Sequence, residues 1–195
     1  MTHSIVAVAA GTSTPSSTRM LADRLAGAAA EALGDADVSV IELRPLAHAI
    51  ADAQLTGFPA GELAEAVETV NAADGLVLVS PTFTASYSGL FKSFIDVLEP
   101  ESLRGRPTLL GATGGSPRHS LVLDHALRPL TAYLGMLTAP TGVFAATADW
   151  GAPELDARIT RAGAELAGLI GGDGPAARPR DEWSDPVPMA ELLGG

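Results

Sequence analysis

Short runs of uninterrupted apolar residues alternate along this chain with longer stretches in which apolar residues recur every three or four positions. Ile5-Val-Ala-Val-Ala-Ala10 comes first and has no polar face. It reads as a strand buried on both sides, as in parallel sheets. Leu21, Leu25, Ala28, Ala29 and Leu33 then follow helical spacing, with Arg19, Asp23, Arg24 and Glu31 interspersed. Gly34 closes that helix, as glycine does just past a helix end. A second strand over 38–43 leads, after a long connection, to a helix through Leu63, Ala66, Val67 and Val70. Leu76-Val-Leu-Val79 is the third strand and a helix over 90–98 follows it. The pattern continues with a strand over 108–113 and a helix through Leu121, Leu123, Leu127, Leu130 and Leu134. A short strand over 143–146 and an amphipathic helix over 154–171 complete it.

Strands alternating with helices predict an α/β fold of three layers, with a five-stranded parallel sheet between helices. The expected strand order is 2-1-3-4-5, with its switch point between strands 1 and 3. Residues 1–171 read as one domain. Residues 172–195, rich in Pro, Gly and charge but carrying Trp183, Val187, Met189, Leu192 and Leu193, read as a tail packed on a neighbouring subunit. Pro81 biases Ser80 away from helical geometry, so the third strand is expected to stop there. The connection over 44–60 holds Pro45, Gly57 and Pro59, with Leu46, His48, Ile50 and Leu55 available for packing. It reads as a lid or an oligomer contact rather than a free loop. Pro129 sits inside the fourth helical stretch, where it kinks or bulges the preceding turn.

Three polar loops follow strands 1, 3 and 4, and the expected order makes those strands neighbours. Ligands of open α/β sheets sit beyond the carboxyl ends of the strands. The first loop is Gly11-Thr-Ser-Thr-Pro-Ser-Ser-Thr18. Its amides, at a helix N-terminus, attract an anion; Thr12, Ser13, Ser16, Ser17 and Thr18 add neutral donors, and Arg19 a charge. The other reading is an ordinary Ser/Thr N-cap. The second loop is Ser80-Pro-Thr-Phe-Thr-Ala-Ser-Tyr-Ser-Gly-Leu-Phe-Lys92. Pro81, Thr82, Phe83, Thr84, Ser86, Tyr87 and Ser88 offer hydroxyls beside flat apolar faces, which suits a planar heteroaromatic ligand; a capped helix start with two core aromatics is equally open. The third loop is Thr113-Gly-Gly-Ser-Pro-Arg-His119. Gly114 and Gly115 let backbone approach a ring closely, Ser116 adds a hydroxyl, and Arg118 reads as a phosphate contact or a solvated side chain. His119 reads first as a structural hydrogen-bonding group. No side chain is assigned as a catalyst.

Composition narrows the classes. The formal net charge is −11 and no basic run exists, which argues against nucleic acid and against anionic membranes. Cysteine is absent, and the four histidines are scattered, so thiol catalysis and Cys-ligated metals are excluded and no metal site is expected. Any redox chemistry then belongs to an organic cofactor. The sequence lacks both G-x-x-x-x-G-K-[ST] and G-x-G-x-x-G, which disfavours triphosphate hydrolysis and a tightly held dinucleotide. The first residues do not form a signal peptide and no apolar stretch reaches membrane length, so the expected location is cytoplasmic.

Pro81-Thr-Phe-Thr-Ala-Ser-Tyr-Ser-Gly-Leu-Phe-Lys92, with Asp96 after it, resembles the flavin loop of the NAD(P)H-dependent FMN reductases. Gly114-Gly-Ser-Pro-Arg-His119 followed by Leu123-Asp-His-Ala-Leu-Arg-Pro-Leu130 resembles their next loop and helix. The likeness runs from about residue 4 to 150. It is strongest to reductases that supply reduced FMN to alkanesulfonate and other luciferase-like monooxygenases. It implies a flavodoxin-like fold, FMN and NAD(P)H as ligands, hydride transfer from NAD(P)H to FMN, and a homodimer or homotetramer. It also places Ser16, Ser17 and Thr18 at the phosphate. Thr82, Phe83, Thr84, Ser86, Tyr87 and Ser88 fall at the isoalloxazine and ribityl chain, and Gly114, Gly115 and Ser116 at the pyrimidine side. Some relatives carry a π-bulge in the fourth helix, and His125 lies near that place. A quinone or azo-dye reductase with permanently bound FMN, and a non-enzymatic flavodoxin-like carrier, are the alternatives.

Overall fold

The structure is a computed structural model and describes residues 2–172. The tail expected to pack on a neighbour, from residue 173 on, lies outside the described residues. β1 (His3–Ala9), α1 (Ser17–Leu33), β2 (Ala36–Glu42), α2 (Ala47–Thr56), α3 (Glu62–Ala72) and β3 (Gly75–Phe83) come first. β4 (Ser86–Tyr87), α4 (Gly89–Ile95), α5 (Pro100–Leu103) and β5 (Pro107–Gly114) follow. α6 (Arg128–Tyr133), β6 (Leu137–Thr138), β7 (Val143–Ala146) and α7 (Pro153–Gly171) end the described chain.

The parallel sheet runs β2-β1-β3-β5, and β6 and β7 both pair with the far side of β5. This is the flavodoxin-like order expected from the sequence, with two differences. The fifth lane is made of two short strands, because Ala139-Pro-Thr-Gly142 interrupts it and Pro140 has no N–H for the ladder. A two-residue strand, β4, also pairs antiparallel with the end of β3.

Strand faces explain the two buried layers. Val6 and Val8 with Leu76 and Leu78 face one cluster, beneath α2, α3 and α4. Ile5, Ala7, Val77 and Val79 face the other, beneath α1 and α7. Both faces are apolar because both are covered. Glycine sets the closest helix contact: a Cβ on Gly163 of α7 would lie 2.6 Å from the Ala28 carbonyl carbon and 2.8 Å from the Ala29 nitrogen. Among the described residues no helix is long and apolar enough to cross a membrane.

One sequence expectation changes and two are met in more detail. β3 does not stop at Ser80; it continues through Pro81, opposite Thr113, to Phe83. The extended geometry that proline imposes on its predecessor is strand geometry. The Ser80 hydroxyl also stiffens the passage, donating to the Pro81 carbonyl at 2.9 Å and accepting the Ser88 N–H at 2.9 Å. The connection over 44–60, expected to pack rather than run free, does so as a helix: α2 occupies most of it and buries Ile50 and Ala53. Finally, the helix expected through Leu121–Leu134 is split. Leu123–Leu127 is a π-helical turn, in which Arg128 N–H reaches back to the Leu123 carbonyl, and α6 starts beside Pro129. Proline cannot donate to residue 125 and crowds its carbonyl, so the widened turn in front accommodates it.

Candidate functional site

The pairing register brings the carboxyl ends of β1, β3, β5 and β7 level, with Ala9 beside Val79, Pro81 beside Thr113 and Gly114 beside Ala146. The loop after β1 turns tightly onto α1. A Cβ on Gly11 would lie 2.1 Å from the Ser16 hydroxyl, so only glycine lets the chain close there. Ser16 caps α1, its hydroxyl accepting the Arg19 N–H at 3.2 Å. Thr18 is buried, and its hydroxyl lies 2.9 Å from that of Thr113, tying the first loop to the end of β5. Ser13 donates to the Pro15 carbonyl at 3.1 Å. Thr12 and Ser17 make no side-chain hydrogen bond among the described residues, and both face the same cleft.

The segment after β3 is a tight hairpin. Thr82 and Phe83 pair with Tyr87 and Ser86, and Thr84 and Ala85 form the two-residue turn with φ of +49° and +66°. Positive φ at both positions is the geometry that hairpins favour, but it is strained for residues carrying a Cβ. Ser88 is turned inward: its hydroxyl caps α4 by accepting the Phe91 N–H at 3.1 Å. Tyr87 stacks at a tilt on Phe91, with ring centroids 5.7 Å apart. Phe83 is left 46 % exposed at the cleft.

After β5, Gly114 runs close beneath Phe144, and a Cβ on it would lie 2.9 Å from the ring. Gly115 faces open space, with nothing within 4 Å of such an atom. Ser116 caps the short 3-10 turn Pro117–His119, accepting the Arg118 N–H at 3.3 Å.

A cleft of about 220 Å3 lies where these loops meet. It gathers Thr12, Ser13, Ser17, Thr18, Pro81, Thr82, Phe83, Thr113, Gly114 and Gly115 from the residues expected on sequence grounds. Ser16 borders an adjoining cavity of about 430 Å3 that runs on to Met20 and Trp150. Ser86, Arg118 and His119 line a different cavity, of about 330 Å3, shared with His125 of the π-turn. Gly11 and Thr147 belong to the cleft and were missed. Thr147 follows the fifth sheet lane, and the strand-end argument applied to three loops would have found it at the fourth. A larger cavity of about 660 Å3 lies away from the sheet edge, among α2, α4 and α6.

One atom tests what the cleft is built for. The Thr82 hydroxyl oxygen is buried yet has no hydrogen-bond partner among the described residues, and Thr82 lines the cleft. Buried polar atoms are almost always paired, so an orphan beside a cleft points to a ligand group that completes it. With Thr12, Ser17 and an open Gly115 backbone beside it, the donor set is neutral, divided between a helix N-terminus and a flat slot. That fits a phosphate joined to a planar ring with polar edges, as in FMN.

Comparison with known proteins agrees. A family model described as NADPH-dependent FMN reductase matches residues 3–151. The chain is 38% identical over 173 residues to the FMN reductase (NADPH) of Pseudomonas aeruginosa, covering 86% of this chain and 92% of that protein. It is 40% identical over 176 residues to the NADH-dependent FMN reductase SfnE of Pseudomonas putida, covering 86% and 92%. Among solved structures, an oxidoreductase from Corynebacterium diphtheriae superposes with a TM-score of 0.84 at 46% identity, covering 87% of this chain and 97% of that one. The chain belongs to the NADPH-dependent FMN reductase family.

Proposed function

We propose that this FMN reductase holds FMN in the cleft between the loops after β1, β3 and β5, and gives up the reduced flavin to a separate monooxygenase. The observation that carries this reading is the buried, unpartnered Thr82 hydroxyl beside a cleft of hydroxyls and glycines. When bound, FMN supplies the redox chemistry, accepting hydride from NAD(P)H and carrying the electrons onward. The protein's part is binding, orientation and exclusion of water. Thr12, Ser17 and the N-terminus of α1 take the phosphate. Thr82 and the Gly114–Gly115 backbone take the polar edge of the ring, and Phe83 covers an apolar face. Ser86, Arg118 and His119 line a separate cavity with His125, and this reading gives that cavity to the nicotinamide nucleotide.

A homo-oligomer is part of the same reading. Leu55, Phe58 and Tyr133 are 87 %, 78 % and 84 % exposed, beside the cavity among α2, α4 and α6. Large apolar side chains grouped on one face are what a second subunit covers. Light scattering should then give a mass above that of one chain, falling in Phe58→Glu/Tyr133→Glu. The reading places the protein in the cytoplasm, where reduced nicotinamide is regenerated.

The functional test is oxidation of NADH and of NADPH by flavin-stripped protein, followed by nicotinamide absorbance, with FMN, FAD or riboflavin added. Saturation with FMN, and weaker response to riboflavin, is the expected result. FMN binding without any oxidation would make the protein a carrier. Flavin retained through gel filtration would favour a quinone or azo-dye reductase with resident FMN.

A further inference from the structure

Arg44 stands where β2 ends, next to the loop after β1. We propose that Arg44 supplies the positive charge for the FMN phosphate, reaching over from the neighbouring strand end. This rests on the reading that the loop after β1 takes the phosphate.

The loop itself, residues 11–18, contains no Lys, Arg or His. Its hydroxyls and amides, with the partial charge of the α1 N-terminus, leave much of a phosphate dianion uncompensated. Two carboxylates lie close by. Asp23 is on α1, and Glu42 ends β2 level with Ala9. Arg19, which follows the loop directly, is committed to both, donating to Asp23 at 2.8 Å and to Glu42 at 2.7 Å. The hydrogen bond to Asp23 outweighs the cost of burial and holds the Arg19 charge firmly. Arg19 thus neutralises the local acids and is not available to a ligand.

Arg44 differs in each respect. Among the described residues no carboxylate lies within ion-pair distance of it. Its side chain donates through Nη1 to the hydroxyl of Thr14, inside the loop. Its backbone is fixed on both sides: Leu43 N–H donates to the Ala9 carbonyl at 3.0 Å, and the Arg44 carbonyl accepts the Ala47 N–H at 3.3 Å as α2 begins. A guanidinium carries five N–H donors. With one on Thr14, the remaining fork can meet phosphate oxygens in the paired geometry that arginine and phosphate favour. Arg118, the other arginine near the three loops, lines the separate cavity with Ser86 and His119.

The test compares FMN with riboflavin, which lacks the phosphate, by quenching of flavin fluorescence on the full-length protein. Arg44→Ala should bind FMN about tenfold more weakly, the loss expected for one charge-assisted contact at an exposed site, and should bind riboflavin as the wild type does. Unchanged riboflavin binding also reports that the variant is folded. Arg44→Lys should recover part of the loss, and added salt should narrow the gap between wild type and Arg44→Ala. Arg24→Ala, which removes a surface charge paired to Asp156, should leave FMN affinity unchanged. The proposal is overturned if Arg44→Ala binds FMN like the wild type, loses FMN and riboflavin alike, or is matched by Arg24→Ala. If the wild type itself does not prefer FMN to riboflavin, the phosphate-loop reading falls, and this proposal with it.

Discussion

Thr82→Val separates ligand binding from folding by moving them in opposite directions. Valine has nearly the shape of threonine, so the substitution removes the hydroxyl and little else. That hydroxyl oxygen is buried and lacks a protein partner. A buried polar atom left unpaired costs about 1–3 kcal/mol, and at the edge of a cleft the low end applies, about 1 kcal/mol. For a domain of this size about 1 kcal/mol moves Tm by roughly 2–4 °C. The ligand-free variant should therefore melt a few degrees above the wild type. On the proposed reading the hydroxyl meets the ring edge of FMN, so its loss should remove about 1 kcal/mol of binding, roughly fivefold in Kd. The assays are thermal melting of flavin-stripped protein and fluorescence titration with FMN. Higher Tm with weaker binding is the expected pair. A lower Tm with unchanged FMN affinity would refute the reasoning, because the hydroxyl would then be paired within the protein and turned away from the ligand.

Gly163→Ala places a Cβ against the backbone of Ala28 and Ala29, so α1 and α7 must part; about 1–3 kcal/mol of stability should go, read as a lower denaturant midpoint. Replacing Thr84-Ala85 by Asn-Gly supplies residues that tolerate positive φ at the hairpin turn and should stabilise the protein by about 1–2 kcal/mol; a lower Tm would mean that the turn is not strained. Glu165 is desolvated, which alone would raise its pKa, but hydrogen bonds from the Thr141 hydroxyl and amide, with help from Arg161, bring it below its ordinary value. A carboxyl depressed in the folded state stabilises above its unfolded pKa and loses that contribution as pH falls through the folded value. Wild-type stability should thus drop more steeply on acidification than that of Glu165→Gln, and parallel curves from urea melts across the acidic range would show that the Thr141 contacts contribute nothing.

Much of the fold was legible because the central strands β1 and β3 are buried on both faces. In β1, Val6 and Val8 on one side and Ile5 and Ala7 on the other leave no polar position, so the strand announces itself as an unbroken apolar run, whereas β2, at the sheet edge, is partly exposed and mixes polar with apolar residues. What was not legible lies where two local signals compete. Pro81 is a strand breaker by its missing N–H and a strand former by its effect on Ser80. The outcome was decided by Ser80 and Ser88 bonding across the hairpin, a contact eight residues apart. α2 was hidden because Pro45, Gly57 and Pro59 bracket it, and turn residues that flank a helix look the same as turn residues within a loop. The strand-end rule was applied to three loops and not to the ends of β2 and β7, which kept Arg44 and Thr147 out of view.

In the candidate site the residue types were readable and their division of labour was not. Serine and threonine do two jobs at these strand ends. Thr18 with Thr113, Ser16 on α1, Ser88 on α4 and Ser116 on the 3-10 turn fasten the loops to the scaffold. Thr12, Ser17 and Thr82 are left toward the cleft. A hydroxyl that braces and a hydroxyl that waits for a ligand have the same sequence signature, because both sit near free backbone donors at the start of a helix. Only geometry separates them, and it makes the separation measurable. Removing a brace, as in Ser88→Ala, costs about 1 kcal/mol of stability through loss of a helix cap and touches flavin affinity only through the fold. Removing a cleft hydroxyl leaves stability level or raises it and weakens FMN directly.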